Sequence, residues 1–380
     1  MSKTMGTNKK IGEILYFAAF VLWMSLMILN LTYFREPAGI SNFYKGVQYF
    51  VLALLVLRFV VCPEFSVRSV GKLFVLILFV FSAYSCGKLA FAVSLVLVFS
   101  AADISYEKLL RCTLLVQAIW FAVTVVCSQA GIIEDYIWNV GVRDRHGLGF
   151  THCLLGSHFV LFMSLICVAL VKKMKLWLAV FIFGANYLMY IHTDARTTML
   201  LSLFLIVAGF AAGLFEKFVK KPAVWAAVLS FFVPFVFFAI SLLGAKSFNY
   251  QSDVMMQLNR LFNGRLDLMN RAWNEYGITL FGQKIKWVGE STLKNNSALT
   301  YNYVDNAYMQ AFFTYGLIFI ILLCIGWGLV MYRLMRRGQY VMTVLILVVL
   351  IHGLINPQMI ELVYNPFFLL VGNGGYYERE

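Results

Sequence analysis

Long apolar runs, separated by short polar breaks, recur along almost the whole chain. A run of about 20 apolar residues can cross the hydrocarbon core of a bilayer as an α-helix. Because lipid cannot satisfy free backbone groups, each crossing segment should be helical. We therefore expect an all-α, polytopic integral membrane helix bundle that forms one domain over residues 1–380. By the length criterion the pattern predicts about twelve transmembrane segments: 11–33, 44–62, 69–86, 88–103, 109–131, 152–171, 174–192, 197–216, 222–244, 307–332, 339–355 and 359–373.

The composition supports a membrane protein and explains the net charge. Hydrophobic residues make up 61% of the 380 positions and charged residues only 13%, whereas charged residues make up about 25% of a typical soluble domain. Many of the Lys and Arg residues behind the net charge of +13 lie beside the ends of apolar runs, as the positive-inside rule expects for cytoplasmic loops. Lys3, Lys9 and Lys10 belong to this set. We therefore expect both termini in the cytoplasm and no nucleic-acid partner.

The longest polar insert, residues 245–306, is expected on the extracytoplasmic face. Between Ser252 and Tyr276 its apolar residues follow the 3.6-residue spacing of an amphipathic helix. The Asn263-Gly264 pair interrupts this spacing and favours a left-handed turn or a helix stop. This large loop should therefore contain two short amphipathic helices that lie on the bundle.

Two arginines of the insert are candidates for substrate binding. Arg265 should begin the second helix, where free N–H groups and the helix dipole attract phosphate. It has apolar residues four positions away on either side, which favours a ligand role. Arg271 instead lies between Asp267 and Glu275 at this spacing. Ion pairs on the helix surface are therefore the alternative to a ligand role for Arg271.

Two further arginines lie near the membrane on the same predicted face. Arg145 precedes the sixth segment in "RHGLGF", where two glycines would let the backbone approach a ligand; a solvated loop is the alternative. Arg196 follows the seventh segment in "HTDARTTML", close to the membrane surface, where an unpaired charge is costly. It could pair with Asp194 or bind a ligand. Together with Arg265, three outer segments present an arginine at a similar membrane depth.

Asp305 and Glu361 are the candidate catalytic carboxylates. Asp305 precedes the tenth segment in "YNYVDNAYMQAFFTYG" and could cap that helix, in which case capping and the helix dipole would lower its pKa. The alternative is a role as general base for a substrate hydroxyl. Glu361, at the outer start of the last segment, is in an unfavourable place for an acid without a partner. Tyr308, near Tyr301 and Tyr303, suits an interfacial aromatic belt or a sugar-stacking surface.

The sequence indicates no metal or nucleotide cofactor. The five histidines form no His-x-x-x-His pair, and Walker and Rossmann glycine patterns do not occur. The seven cysteines include no Cys-x-x-Cys pair and are expected to behave as small core hydrophobes. His352, inside the eleventh segment, is expected to form an interhelical hydrogen bond.

The segments "NGRLDLMNRAW", "LFGQ", "DNAYMQAFFTYGLI" and "RHGLGFTHCLLG" resemble those of the Wzy-type polysaccharide polymerases in the O-antigen polymerase and ligase superfamily. The layout, with one large outer loop late in the chain, is similar too. The resemblance implies a metal-independent glycosyltransferase of the bacterial plasma membrane. Such an enzyme polymerises oligosaccharide repeat units carried on undecaprenyl diphosphate into a surface polysaccharide on the outer face. The resemblance also implies no cofactor, and chain-length regulator and flippase proteins as partners.

The resemblance implies roles for the candidate residues. Asp305, or failing that Glu361, would orient or deprotonate the acceptor hydroxyl. Ligase relatives carry a His-Asn pair where this chain has Asp305-Asn306, which favours a polymerase over a ligase. The substrate would be bound by polar and aromatic side chains of the outer face: Arg145, Arg196, Arg265, Arg271, Asn306 and Tyr308.

A secondary transporter or flippase of lipid-linked sugar is the alternative from another class. Transport needs polar or ionisable groups and broken helices near the membrane midplane. The predicted segments contain few such features apart from Arg58 and Pro234. A long amphipathic insert on one face also suits an enzyme better than a carrier.

Overall fold

A computed structural model describes residues 2–35, 40–62, 67–102, 104–140, 143–219, 223–295 and 298–372. Residues 373–380, which carry the predicted cytoplasmic C-terminus, lie outside this description. The first helices of the described ranges are α1 Ser2–Leu29, α2 Ile40–Val61, α3 Val67–Ser85, α4 Leu89–Ser100, α5 Tyr106–Gln129, α6 Leu155–Val171, α7 Leu176–Thr193, α8 Arg196–Phe218 and α9 Val224–Ser247. The chain continues with α10 Asp253–Leu261, α11 Arg265–Tyr276, α12 Glu290–Asn295, α13 Ala307–Tyr315, α14 Leu317–Arg336, α15 Tyr340–Gly353 and α16 Leu369–Gly372.

The protein is a helical membrane protein. Within the described ranges, seven helices are long and apolar enough to cross a membrane: those over Asn8–Leu29, Phe43–Val61, Tyr106–Gln129, Leu176–Thr193, Arg196–Phe218, Val224–Ser247 and Leu317–Arg336. Four shorter apolar helices, α3, α4, α6 and α15, pack among them. We call one end of the bundle the loop face; here α1, α5, α7 and α9 end, and α6, α8 and α13 begin.

In its described residues, the predicted insert at 245–306 contains three short helices rather than two. Helices α10 and α11 are the expected pair, and α11 packs against α9. Asn263 (φ 53°) and Gly264 (φ 80°) adopt left-handed conformations between them, which confirms the expected break. The six-residue α12 was not predicted, because its residues "ESTLKN" carry no amphipathic spacing.

The predicted tenth segment is broken at Gly316. Helix α13 ends at Tyr315, and α14 begins at Leu317, whose N–H donates to the Thr279 carbonyl oxygen at 2.8 Å. Gly316 has φ 90°, and a Cβ atom there would lie 2.5 Å from the Leu280 carbonyl oxygen. Only glycine accommodates both this conformation and this contact. The close approach of residues 279–280 therefore explains a break that hydropathy could not reveal.

The prediction of a helix over 359–373 was wrong. This segment forms two 3₁₀ turns, Pro357–Ile360 and Pro366–Phe368, before the four-residue α16. Non-helical backbone is tolerated at membrane depth where it is buried in protein, and these residues are almost all buried. Gln117 of α5 donates to the carbonyl oxygens of Val363 and Tyr364 at 2.8 and 3.1 Å. A partner helix therefore satisfies backbone groups that a helical segment would satisfy internally.

A two-stranded antiparallel hairpin, not predicted from the sequence, stands on the loop face. It pairs β1 Ile137–Val140 with β2 Arg143–His146. Its register places Trp138 directly opposite Arg145. The second strand also contacts α7. The hairpin thus carries one of the candidate arginines to the end of a neighbouring helix.

Candidate functional site

A cavity of about 670 Å³ lies on the loop face. The ends of α1 and α7, the starts of α6, α8 and α11, the hairpin, and the segments around residues 301–305 and 356–358 all contribute to its wall. Residues far apart in the sequence therefore meet here. The charged side chains that line it are Arg35, Arg145, Arg196, Arg265, Asp194, Glu290 and Asp305.

Arg145 is held against the cavity wall by two contacts. Its Nε donates to the carbonyl oxygen of Thr193, the last residue of α7, at 2.9 Å. Its guanidinium carbon lies 5.2 Å from the ring centroid of Trp138, within the range of a cation–π interaction. A solvated loop position was the alternative for Arg145, but these contacts fix the side chain at the cavity.

Arg196 stands at the rim of the cavity as the first residue of α8. Its Nη2 lies 3.3 Å from Oδ2 of Asp194, so the expected ion pair forms. The Arg196 side chain is 73% exposed, and an ion pair this exposed stabilises a fold by only about 0–1 kcal/mol. The guanidinium therefore keeps access to a ligand.

Arg265 is the most deeply placed of the candidate arginines. It begins α11, directly after the left-handed Gly264. Its side chain is only 14% exposed, and its nearest acid is Asp305, with Nε to Oδ2 at 3.9 Å. Among the described residues, the buried Nε has no hydrogen-bond partner. Burial lowers the pKa of Arg265, and the Asp305 carboxylate opposes this shift. A second anion beside Arg265 would therefore stabilise the charged guanidinium further.

Asp305 does not cap α13, and this expectation was wrong. The cap is Asn306, whose side-chain oxygen accepts from the Met309 N–H at 2.9 Å. The expected fall in the Asp305 pKa was wrong as well. Burial raises the pKa of this carboxyl, and the nearby Arg265 guanidinium only partly opposes the rise. Asp305 instead lines the cavity, where its carboxylate lies beside the Arg265 guanidinium.

Several polar atoms at the cavity wall lack a hydrogen-bond partner within the described structure, although Glu290 Oε2 lies 3.7 Å from His152 Nε2. Glu290 Oε2, Asn356 Nδ2 and Gln358 Oε1 are buried and form no hydrogen bond. Unsatisfied buried groups each cost about 1–3 kcal/mol, and most buried polar groups in proteins are paired. The oxygens of Glu290 and Gln358 suit hydroxyl donors of a ligand, whereas Asn356 Nδ2 and Arg265 Nε suit acceptor or negatively charged groups.

Three of the predicted substrate-binding residues lie elsewhere. Arg271 is on the exposed side of α11, where its Nη2 lies 2.7 Å from Oδ2 of Asp267. Asn306 is buried and donates to Ser241 Oγ and the Leu354 carbonyl oxygen. Tyr308 is fully buried, and its hydroxyl donates to the Leu350 carbonyl oxygen at 3.2 Å. The structure thus gives Arg271 an ion pair and the other two residues packing roles.

Glu361 lines a second cavity, of about 690 Å³. Lys45 and Lys88 also line it, and Asn30 contributes to both cavities. The cavities are therefore neighbours, but Asp305 and Glu361 do not share one site.

Sequence reasoning missed several cavity residues. Arg35 ends a 3₁₀ turn just after α1, and its only sequence signal is its position beside an apolar run. His158 of α6 lines the cavity and forms the interhelical hydrogen bond expected of His352, with His158 Nδ1 3.1 Å from His352 Nε2. Asn356 and Gln358 lie in the short connection between the predicted segments 339–355 and 359–373.

Within the described ranges, no group of three or more His, Cys, Asp or Glu side chains is arranged to hold a metal ion. Comparison with known protein families, with curated proteins and with solved structures finds no match for this chain.

Proposed function

We propose that this chain is a membrane glycosyltransferase of the Wzy polymerase type. It joins oligosaccharide repeat units carried on undecaprenyl diphosphate into a surface polysaccharide, on the outer face of the bacterial plasma membrane. The loop face would be the outer face, and both termini would be cytoplasmic. One observation carries the proposal: Arg145, Arg196 and Arg265, from three distant segments, line the same cavity as Asp305.

The position of the cavity supports a substrate that is half lipid and half sugar. Membrane-crossing helices α7 and α8 meet at its wall, so the arginines lie near the depth of lipid headgroups. Guanidinium groups match phosphate oxygens in geometry as well as charge. A volume of about 670 Å³ is within the usual range for sites that enclose small ligands. A lipid diphosphate with its first sugars would offer phosphate oxygens to the arginines and has the size of ligand that such a cavity encloses.

The reaction would be a displacement at the anomeric carbon of the donor sugar. An acceptor hydroxyl oxygen forms the new bond to this carbon, and the bond from the carbon to the diphosphate oxygen breaks. The electron pair of that bond stays on the diphosphate, where Arg265, Arg145 and Arg196 stabilise the added negative charge. The acceptor's proton passes to the Asp305 carboxylate. The raised pKa of Asp305 brings it closer to the range in which a general base is effective near neutral pH.

A carrier of lipid-linked sugar is the second candidate, and one observation favours it. The buried chain segment at 357–368 forms 3₁₀ turns and no α-helix, and Glu361 within it lines the second cavity. Broken segments with ionisable groups line the sites of many transporters. A ligase would use the same donor site and differ only in its acceptor.

The test is to supply purified protein in lipid vesicles with a panel of undecaprenyl-diphosphate-linked oligosaccharides. A polymerase should produce a ladder of products that differ by one repeat unit. Movement of the lipid-linked sugar between leaflets without a ladder would favour the carrier. Transfer to an added acceptor lipid without a ladder would favour the ligase.

A further inference from the structure

Helix α10 presents an apolar face that no other part of the described structure covers. None of its residues is buried. The side chains of Val254, Leu258 and Leu261, together with the following Phe262, are all exposed, Leu261 at 74%. They fall on one side of the helix, because residues three, four and seven positions apart lie on one face. Asp253 and Arg260 point away from this face, and the half-buried residues of the helix are Met255, Met256 and Asn259.

The position of α10 brings this face close to the membrane. Helix α9, which is long and apolar enough to cross the membrane, ends at Ser247, and only five residues separate it from α10. A connection of this length spans at most about 20 Å. The last turns of α9 also expose Ile240 and Leu243, so a lipid-facing apolar surface continues almost to the start of α10.

Two hydrogen bonds fix the connection before α10 and the start of the helix, and Tyr250 in this connection suits the membrane interface. Tyr250, in the connection, has an exposed ring, and its hydroxyl donates to Asp267 of α11. Tyrosine is enriched at this depth because its ring suits apolar surroundings and its hydroxyl suits polar ones. The Ser252 hydroxyl caps α10 by accepting from the Met255 N–H, so the helix has a defined start.

We propose that α10 binds the bilayer surface on the loop face as an interfacial helix. Its occupant is lipid: the face of Val254, Leu258, Leu261 and Phe262 enters the boundary between headgroups and acyl chains, as amphipathic surface helices do. The Asn263-Gly264 turn, of which Asn263 lines the large cavity, joins α10 to Arg265. Contact between α10 and lipid thus places the part of the cavity wall formed by Asn263 and Arg265 at the depth of the lipid headgroups. This inference does not depend on the proposed function.

The test places a genetically encoded, polarity-sensitive fluorescent amino acid at Leu258 or at Arg260. Two residues along a helix turn the side chain by about 200°, so these sites lie on nearly opposite faces of α10. The full chain is placed in nanodiscs of phosphatidylethanolamine and phosphatidylglycerol, with and without lipids that carry a nitroxide near the headgroup. Emission at 258 should shift to the blue, and lipid nitroxides should quench it at least threefold more strongly than at 260.

Three outcomes would overturn the proposal. Equal quenching at both sites, or water-like emission at 258, would mean that the apolar face does not enter lipid. Blue emission at 258 that lipid nitroxides fail to quench, and that depends on protein concentration, would mean that a second copy covers the face. Leu261 provides a second reporter position on the apolar face, so misfolding caused by the substitution at 258 cannot be mistaken for any of these three outcomes.

Discussion

The Nε atom of Arg265 lies 3.9 Å from Oδ2 of Asp305 at the wall of a single cavity, although the two residues are 40 positions apart in the chain. This distance is too long for a hydrogen bond. The two opposite charges therefore stabilise each other, while both groups can still form hydrogen bonds to a ligand. A cation that can hold a phosphate thus lies beside a carboxylate that can take a proton. This pair is the basis of the first two predictions.

Replacing Arg265 by glutamine should slow chain elongation by about 100-fold or more, the effect of removing one donor that stabilises a developing negative charge. The matched control is Arg271→Gln, six residues further along the same helix. Arg271 pairs with Asp267 on the exposed surface, so its loss should change the rate by less than about fivefold. The measurement is the rate of ladder formation in vesicles. Equal losses in the two variants would remove Arg265 from the mechanism.

Burial raises the pKa of Asp305, and the Glu290 carboxylate contributes to the rise. A base must lose its proton to act, so activity should fall on the acidic side at a higher pH than an ordinary Asp would give. Glu290→Gln removes a negative charge that raises the Asp305 pKa. The acidic limb of the activity profile should therefore move to lower pH. The kcat/KM profile against pH reports this shift. An unmoved limb would show that Asp305 is not the titrating group.

The same shift has a consequence for stability. An acid whose pKa is raised on folding opposes folding once the pH exceeds the pKa of the unfolded group, and has no effect below it. Asp305→Asn should therefore raise the melting temperature at pH 7 and leave it unchanged near pH 3. A lower melting temperature at pH 7 would contradict the desolvation of this carboxyl.

Arg196 at the exposed rim should act mainly in binding the donor. Arg196→Gln is expected to raise the KM for the lipid diphosphate more than it lowers kcat, because a rim charge attracts the substrate before and during the reaction alike. High salt should reduce the difference from the unaltered protein. Arg260→Gln, on α10 outside the cavity lining, serves for comparison. A pure fall in kcat would assign Arg196 to the transition state instead.

Asn306 should matter for stability rather than for substrate binding. Its side chain caps α13 and donates to Ser241 and Leu354. Asn306→Ala loses all three contacts, and a lost cap alone costs about 0.5–2 kcal/mol. The melting temperature should fall, while the KM of the remaining folded protein stays unchanged. A raised KM with unaltered stability would return Asn306 to the substrate site.

Gly316→Ala tests the break between α13 and α14. A Cβ atom there would lie 2.5 Å from the Leu280 carbonyl oxygen, and φ is 90°, so the variant should lose at least about 2 kcal/mol of stability. Gly213→Ala in α8 is the comparison, because nothing lies within 4 Å of its added Cβ. Thermal unfolding in detergent should separate the two variants. Equal melting temperatures would show that the break tolerates a side chain.

Hydropathy predicted most of the helices, because a segment in lipid must satisfy its own backbone groups and so has little choice of structure. It failed at 359–373, where the surrounding protein satisfies the backbone through side chains such as Gln117. It failed at Gly316 as well, where residues 279–280 approach the chain. Both failures occur where tertiary contacts replace lipid as the environment.

The same division holds for the site. Arg145, Arg196 and Arg265 could be proposed from their positions beside apolar runs, because charge near a membrane is costly and needs a purpose or a partner. The roles of Asp305 and Asn306 could not be told apart from the sequence, because adjacent polar residues before a helix are both plausible caps. Arg35 and His158 carry no local signal that separates them from structural residues.

By itself, the sequence determined a membrane-embedded helical protein with arginines at the ends of several apolar runs, since hydrophobicity is a local property of each segment. Only the tertiary structure decided that three of these arginines share a cavity with Asp305, that Arg271 does not, and that Glu361 lines a separate cavity. Convergence depends on how helices pack across long separations in the chain, and no local pattern records that packing.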